Sequence, residues 1–410
     1  MSLVTASGPE SSSSVLPQVT ELRLSAFRGA RRVRVPMSGL TLVTGPAGSG
    51  RSTVVEAYEA LSRLAAGESL RQVFGTAEGG PSSYVPRSAG PDELGRRGFR
   101  IGVTVTGPVG DVRLDLAVQA EPSLRVVGER LSDHSRVLLS TALRDPRRPV
   151  VQAEWHTAGV KAVTSGPLPD DRLATPVLPL RVAGSTQGQR QVLAAAEQTV
   201  RALRAAFACS PRPSLMRTAA PVGESRLRSS CENIAAVLRR TRGECESHTE
   251  LAAMLSEICT GPRVEDLVTE LSAGPTTEAE PGLVRAVLER GAAGRTPLDA
   301  LSDAELRCVA QAFVLLTGSR ALLDDSARSG RSVREAAQQP LVVLADDLDL
   351  GLEPHHTREL LALARRMGEE GGHVRLLATM EDAALAETMD GASVVKLGGV
   401  PVPAGGTPGG

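Results

Sequence analysis

The chain has 410 residues, enough to bury a sizeable core and divide into two or three lobes, and its formal net charge of −1 supplies no global pull toward nucleic acid or membrane. Aromatic residues make up 2%, with Trp155 the only tryptophan, which argues against a surface that stacks bases. The five cysteines (Cys209, Cys231, Cys245, Cys259 and Cys308) contain no C-x-x-C pair and fit neither a disulfide framework nor a zinc knuckle, and no apolar stretch is long enough to span a bilayer. Met1–Gln18 has neither a basic n-region nor an apolar h-region, so a soluble, cytoplasmic protein with reduced thiols is expected.

In chain order, residues 1–18 (Ser-rich) and 401–410 (Pro- and Gly-rich) are expected to be disordered. Val19–Leu24 and Arg32–Val35 read as paired strands feeding a buried strand, Leu40–Thr44. A glycine-rich turn follows, then a helix to about Ala66 and a loop across Gly75–Gly95. Phe99–Val105, Val112–Val118, Leu124–Val127 and Val150–Trp155 predict an antiparallel β layer. Helical periods then appear at Gln191–Phe207, Asn233–Arg240, Thr249–Cys259 and Leu283–Arg290. From Pro297 helices at Asp303–Leu316 and His356–Met367 alternate with strands at Leu341–Ala345, Val374–Ala378 and Ser393–Leu397, the pattern of a parallel α/β sheet. The expected division is an N-terminal lobe over 19–185, a helical insertion over 186–296 and a C-terminal lobe over 297–400.

The turn reads Gly45-Pro46-Ala47-Gly48-Ser49-Gly50-Arg51-Ser52, a phosphate-binding frame G-x-x-x-x-G-[K]-[ST] with arginine in the lysine position, between a strand and the helix opened by Thr53. Glycines let successive N–H groups turn toward an anion, and the helix start adds partial positive charge. Ser52 stands where a hydroxyl ligates the Mg2+ of a nucleoside triphosphate. Leu341–Ala345 ends in Asp346-Asp347, so two carboxylates arrive at the C-terminal edge of a buried strand; the first would hold magnesium and the second orient the attacking water. Ser302 and Glu305 have capping-box spacing ahead of an apolar helix. Arginines gather across Arg201–Arg242, for which a solvated helical face is favoured over a DNA- or RNA-facing patch.

Leu301-Ser302-Asp303-Ala304-Glu305-Leu306-Arg307 resembles the signature segment of ABC-class ATPases in the RecF, SMC and OLD-like "AAA family ATPase" branch. Glu21–Ser52 is similar to that branch's opening strands and loop, Leu344–Pro354 to its acidic run, and Leu377–Glu381 to the strand before its switch histidine. The resemblance implies a P-loop α/β head with mixed and parallel sheet, an antiparallel β subdomain and an inserted helical lobe. It also implies ATP and Mg2+, with the loop residues Gly45–Thr53 on the nucleotide, Ser52 and Asp346 on the metal, and Asp347 and Arg51 in catalysis. A homodimer would bring Ser302 of one subunit to the γ-phosphate held by the other. A separate effector protein, and a role in DNA maintenance or defence, are family analogy; no membrane partner is implied. Four positions depart from the pattern: Arg51 for lysine, Ala304 for glycine, Asp347 for glutamate and Met380 for histidine. Together they point to slow hydrolysis, and the alternative is a catalytically silent nucleotide-binding module. No Asn-Lys-x-Asp run selects guanine, and no nuclease domain is expected in the stretch after Asp349.

Overall fold

The computed structural model describes residues 16–158, 162–242, 247–272, 282–322, 340–369 and 373–398. The expected disordered ends fall mostly outside these residues, except that Gln18 already opens the first strand. In chain order come β1 (Gln18–Phe27), β2 (Ala30–Pro36), β3 (Leu40–Thr44), α1 (Arg51–Ala65) and α2 (Leu70–Phe74). Six strands follow: β4 (Arg97–Thr106), β5 (Val112–Glu121), β6 (Arg125–Ser132), β7 (Val137–Ala142), β8 (Val150–His156) and β9 (Val163–Pro169). They join the β1–β2 hairpin in an antiparallel sheet of order β2-β1-β4-β5-β6-β7-β8-β9. Along β5, Val112, Leu114, Leu116 and Val118 face the core while Arg113 faces outward, the alternation that one buried face demands. β4, β5, β6 and β8 fall where the sequence predicts strands, whereas β7 and β9 do not.

Next are α3 (Gln187–Arg204), β10 (Ala206–Ala208), α4 (Pro213–Met216), β11 (Ala220–Pro221), α5 (Ile234–Thr241), α6 (Ser247–Ile258), β12 (Asp266–Leu271), β13 (Leu283–Glu289) and β14 (Arg295–Pro297). Leu283–Arg290, expected to be helical, is therefore strand. Val284, Ala286 and Leu288 are buried with Arg285 exposed between them, a period of two that outweighs the apparent helical spacing. β13 pairs antiparallel with β11, β12 and β14, and α5 and α6 pack against this small sheet.

The C-terminal part supplies α7 (Asp303–Thr317), β15 (Leu341–Ala345), α8 (Pro354–Glu369), β16 (Val374–Met380), α9 (Ala383–Glu387) and β17 (Ser393–Lys396). With β3 and β10 these strands form a five-stranded parallel sheet, order β10-β15-β16-β3-β17. β3, β15 and β16 are buried at every residue, because parallel strands are covered on both faces.

This sheet separates two cores, and strand parity assigns each residue to one of them. Val43, Val342, Leu344 and Leu377 face a core shared with α1, α3 and the eight-stranded sheet. Leu42, Val343, Ala345, Leu376, Ala378 and Met380 face a second core shared with α5, α6, α7 and α8. One cation links the first core's two sheets. Arg375 is 6% exposed and donates to the carbonyls of Val19 (2.7 Å), Met37 (2.7 Å) and Ser38 (3.0 Å).

Candidate functional site

Where β3 ends, the chain must turn sharply into α1, and glycine makes the turn passable. Gly45, Gly48 and Gly50 have φ of 154°, 77° and 94°. At Gly45 a Cβ would lie 2.6 Å from both the Leu397 carbonyl and Ser49 Oγ, so only glycine fits. Pro46, Ala47 and Gly48 are exposed at the crest of the loop, Gly45, Ser49, Gly50, Arg51 and Ser52 are half-buried, and Thr53 is buried beneath it. No acidic residue lies in the first turn of α1, so nothing there offsets the helix's positive end. Ser49 Oγ is buried without a hydrogen-bond partner, an orphan donor that an anion in the loop would take up.

The acids reach the same edge from β15. Met380 pairs with Thr44 and Ala345 with Ala378, so the loop after β3 and the acids after β15 both open at the C-terminal ends of the strands, with β16 between them. Asp346 continues the parity of Val342 and Leu344, which face the α1 core, and its charge is felt at Glu56, one turn beyond Ser52 on α1. Loop and acid thus share one edge and one face of the sheet. Burial first, then Asp346, push the Glu56 carboxyl up, against the pull of Arg28, whose Nε lies 2.8 Å from Glu56.

Thr379 and Glu381, which lie in the Leu377–Glu381 segment but have no role assigned from sequence, complete the site. Thr379, fully buried, donates through Oγ1 to Asp346 Oδ1 (2.6 Å) and accepts from the Asp347 N–H (2.7 Å), so one hydroxyl orients both acids. Asp347 occupies left-handed backbone, φ 47°, which aspartate tolerates better than most residues. Replacing Thr379 by valine keeps the shape but leaves the Asp347 N–H without its acceptor and removes the hydroxyl that orients the exposed Asp346 carboxylate. Thr379→Val is expected to lower stability by about 1 to 3 kcal/mol in chemical denaturation and to weaken whatever chemistry the acid pair performs.

Arg51 spans the gap between the two halves. Its guanidinium donates to the Gly45 carbonyl (2.6 Å), to Glu381 Oε1 (3.0 Å) and, at 3.4 Å, to Asp347 Oδ1. Burial and then Asp346 raise the Asp347 carboxyl, Arg51 opposes them, and Glu381 and Asp349 add to the rise. Asp349 accepts from the N–H groups of Glu381 (3.1 and 2.9 Å) and Asp382 (2.9 Å), which fixes the corner after β16.

Two positions singled out in the sequence lie elsewhere. Met380 is fully buried and faces the second core, away from the loop. Ser302 caps α7. It donates to Glu305 Oε2 (2.8 Å), its N–H binds the same oxygen (2.8 Å), and the Glu305 N–H returns to Ser302 Oγ (3.3 Å). Glu305 also accepts from the Thr260 N–H (2.8 Å), so the cap is tied to the end of α6. Ser302 is exposed, and its partner within the chain is Glu305 rather than any residue of the loop. Among the described residues no helix is long and apolar enough to cross a membrane, and no group of three or more His, Cys, Asp or Glu is arranged to hold a metal ion by itself.

The fold is a mixed α/β one, in which a five-stranded parallel sheet carries the glycine loop and the acids on β3 and β15 with β16 between them, beside an eight-stranded antiparallel sheet and a smaller antiparallel one. Solved structures that resemble it include an SMC head bound to the C-winged helix domain of ScpA, 13% identical, covering 90% of this chain and 92% of that chain at a TM-score of 0.48. The SMC head domain from Thermotoga maritima is 11% identical over 92% and 94%, TM-score 0.41. The recombination mediator RecF with ATP is 12% identical over 92% and 95%, TM-score 0.37. No family model matches the sequence, and no curated protein matches it.

Proposed function

We propose that this chain is an ATP-binding head that hydrolyses ATP slowly and dimerises around the nucleotide. The reading is carried by one observation: residues 296 positions apart, Arg51 of the glycine loop and Asp347 of the acid pair, meet across the C-terminal edge of the parallel sheet. The N–H groups of Gly48, Gly50, Arg51 and Ser52 would hold the phosphates, with the Ser49 hydroxyl as a further donor, the Ser49 N–H being bonded to the Pro46 carbonyl (3.1 Å). Magnesium suits the remaining donors, because it is commonly shared between one carboxylate and substrate phosphates rather than caged by protein. Ser52 and Asp346 would hold it, and the bound ion would supply charge neutralisation on the phosphates. Asp347 would accept a proton from the attacking water, a task hindered while Arg51 engages its carboxylate.

Ser302 enters this reading through a second copy of the chain, since within its own subunit its hydroxyl is bonded to Glu305 and not to the loop. The exposed hydroxyl at a helix start is suited to a phosphate brought by a partner. A separate effector protein and DNA remain proposals by analogy, and a cytoplasmic location is proposed with them. The test is release of labelled phosphate from ATP by the purified chain, alongside Ser52→Ala and Asp346→Ala. Both substitutions are expected to reduce turnover at least tenfold; turnover indifferent to both overturns the proposal.

The second reading, a silent nucleotide-binding module, is favoured by the Arg51–Asp347 contact itself. It expects heat of ATP binding in calorimetry with no phosphate released.

A further inference from the structure

We propose that Glu381 tunes how tightly the loop holds a triphosphate, by competing with the terminal phosphate for the Arg51 guanidinium. The inference rests on the nucleotide reading above and adds a residue that no motif assigns.

Three acceptors share one arginine head. The Gly45 carbonyl, 2.6 Å away, belongs to the loop itself, and the nearer of the two carboxylates is Glu381, at 3.0 Å against 3.4 Å for Asp347. The planar fork of arginine can serve acceptors spread on two sides; a compact ammonium cannot reach them together. The loop's own cation is therefore already spent on a carboxylate, and a phosphate must displace it.

Glu381 is held ready for that contact. Asp349 grips its N–H and that of Asp382, and Asp382 in turn caps α9 through the Leu385 N–H at 2.9 Å. The Glu381 side chain is 69% exposed while Arg51 is 10% exposed, so the pair breaks at small cost to the fold. Once Arg51 turns to a phosphate, Glu381 faces the same anion alongside Asp346, Asp347 and Asp349. Glu381 thus opposes a triphosphate twice, as a rival acceptor and as a like charge, and a terminal phosphate bears the larger share because it lies toward the acids.

The experiment is calorimetric titration of the full chain with Mg·ATP and with Mg·ADP, comparing wild type, Glu381→Gln and Glu381→Asp. Glu381→Gln is expected to tighten ATP about fivefold, the upper range for an exposed ion pair, with a smaller gain for ADP. Glu381→Asp keeps the charge and is expected to remain closer to wild type than Glu381→Gln. Unchanged melting temperatures would show that the exposed substitution leaves the fold intact. ATP affinity in Glu381→Gln equal to or weaker than wild type overturns the proposal while leaving nucleotide binding in place. Absence of ATP binding in all three proteins overturns the nucleotide reading as well.

Discussion

The double change Arg51→Lys with Asp347→Glu is expected to raise ATP turnover about 10- to 100-fold, measured as phosphate release at saturating Mg·ATP. Two defects are repaired at once. Lysine reaches a phosphate as a point charge and cannot bridge the Gly45 carbonyl, Glu381 and Asp347 as the guanidinium does, so the acid is released. Glutamate adds the methylene that places its carboxylate about 1 Å nearer an attacking water, and displacement of that size can be worth roughly 10²-fold. There is space for it, since the Asp347 side chain is 38% exposed. Each single change is expected to give less than the pair, because a freed but short acid and a long but engaged one are both impaired. A double variant no faster than wild type would favour the silent module.

Arg375→Lys is expected to destabilise the protein by about 3 kcal/mol at neutral pH, more than many outright deletions, although it preserves charge. The guanidinium satisfies three carbonyls from β1 and the turn before β3, and through them ties the eight-stranded sheet to the parallel one. An ammonium on a shorter fork cannot meet all three, yet it still carries a charge into a buried place. The pH dependence separates this from simple loss of packing. Burial lowers the pKa of the cation at this position, with the Tyr58 phenol partly opposing it. A lysine here would therefore bind its proton less readily folded than unfolded. Stability should then rise with pH above the depressed folded value and level off near the ordinary lysine range. The wild-type arginine stays protonated and shows no such slope from this group. Urea unfolding at pH 7 and pH 9 measures both; an Arg375→Lys deficit that does not shrink at pH 9 contradicts the assignment.

Much of the site could be read from sequence because it is built from local pattern. Leu40–Thr44 and Leu341–Ala345 are unbroken apolar runs, as strands covered on both faces must be, and each ends in residues whose chemistry is conspicuous. The S-x-x-E spacing at Ser302 is realised as a capping box for the same reason. What stayed hidden depends on neighbours distant in the chain. Thr379 is one hydroxyl in a buried strand, and only pairing of β16 between β15 and β3 sets it against both acids. Glu381 follows Met380, the position where the resemblance expects a switch histidine; parity turns the methionine into the second core and presents its successor to Arg51. Arg375 interrupts an apolar strand, with nothing nearby to indicate carbonyls more than 330 positions away. β10 is three residues long, too short for periodicity to register, although it forms an edge of the parallel sheet.

In the proposed function the turn at Gly45–Ser52 and the acid Asp346 grip one nucleotide together. Equilibrium binding of fluorescent ATP to the purified chain, with and without Mg2+, tests it most directly. Saturable binding is expected, strengthened by Mg2+ in wild type and with that strengthening lost in both Ser52→Ala and Asp346→Ala. Binding that is absent, or that responds to Mg2+ equally in all three proteins, would contradict it.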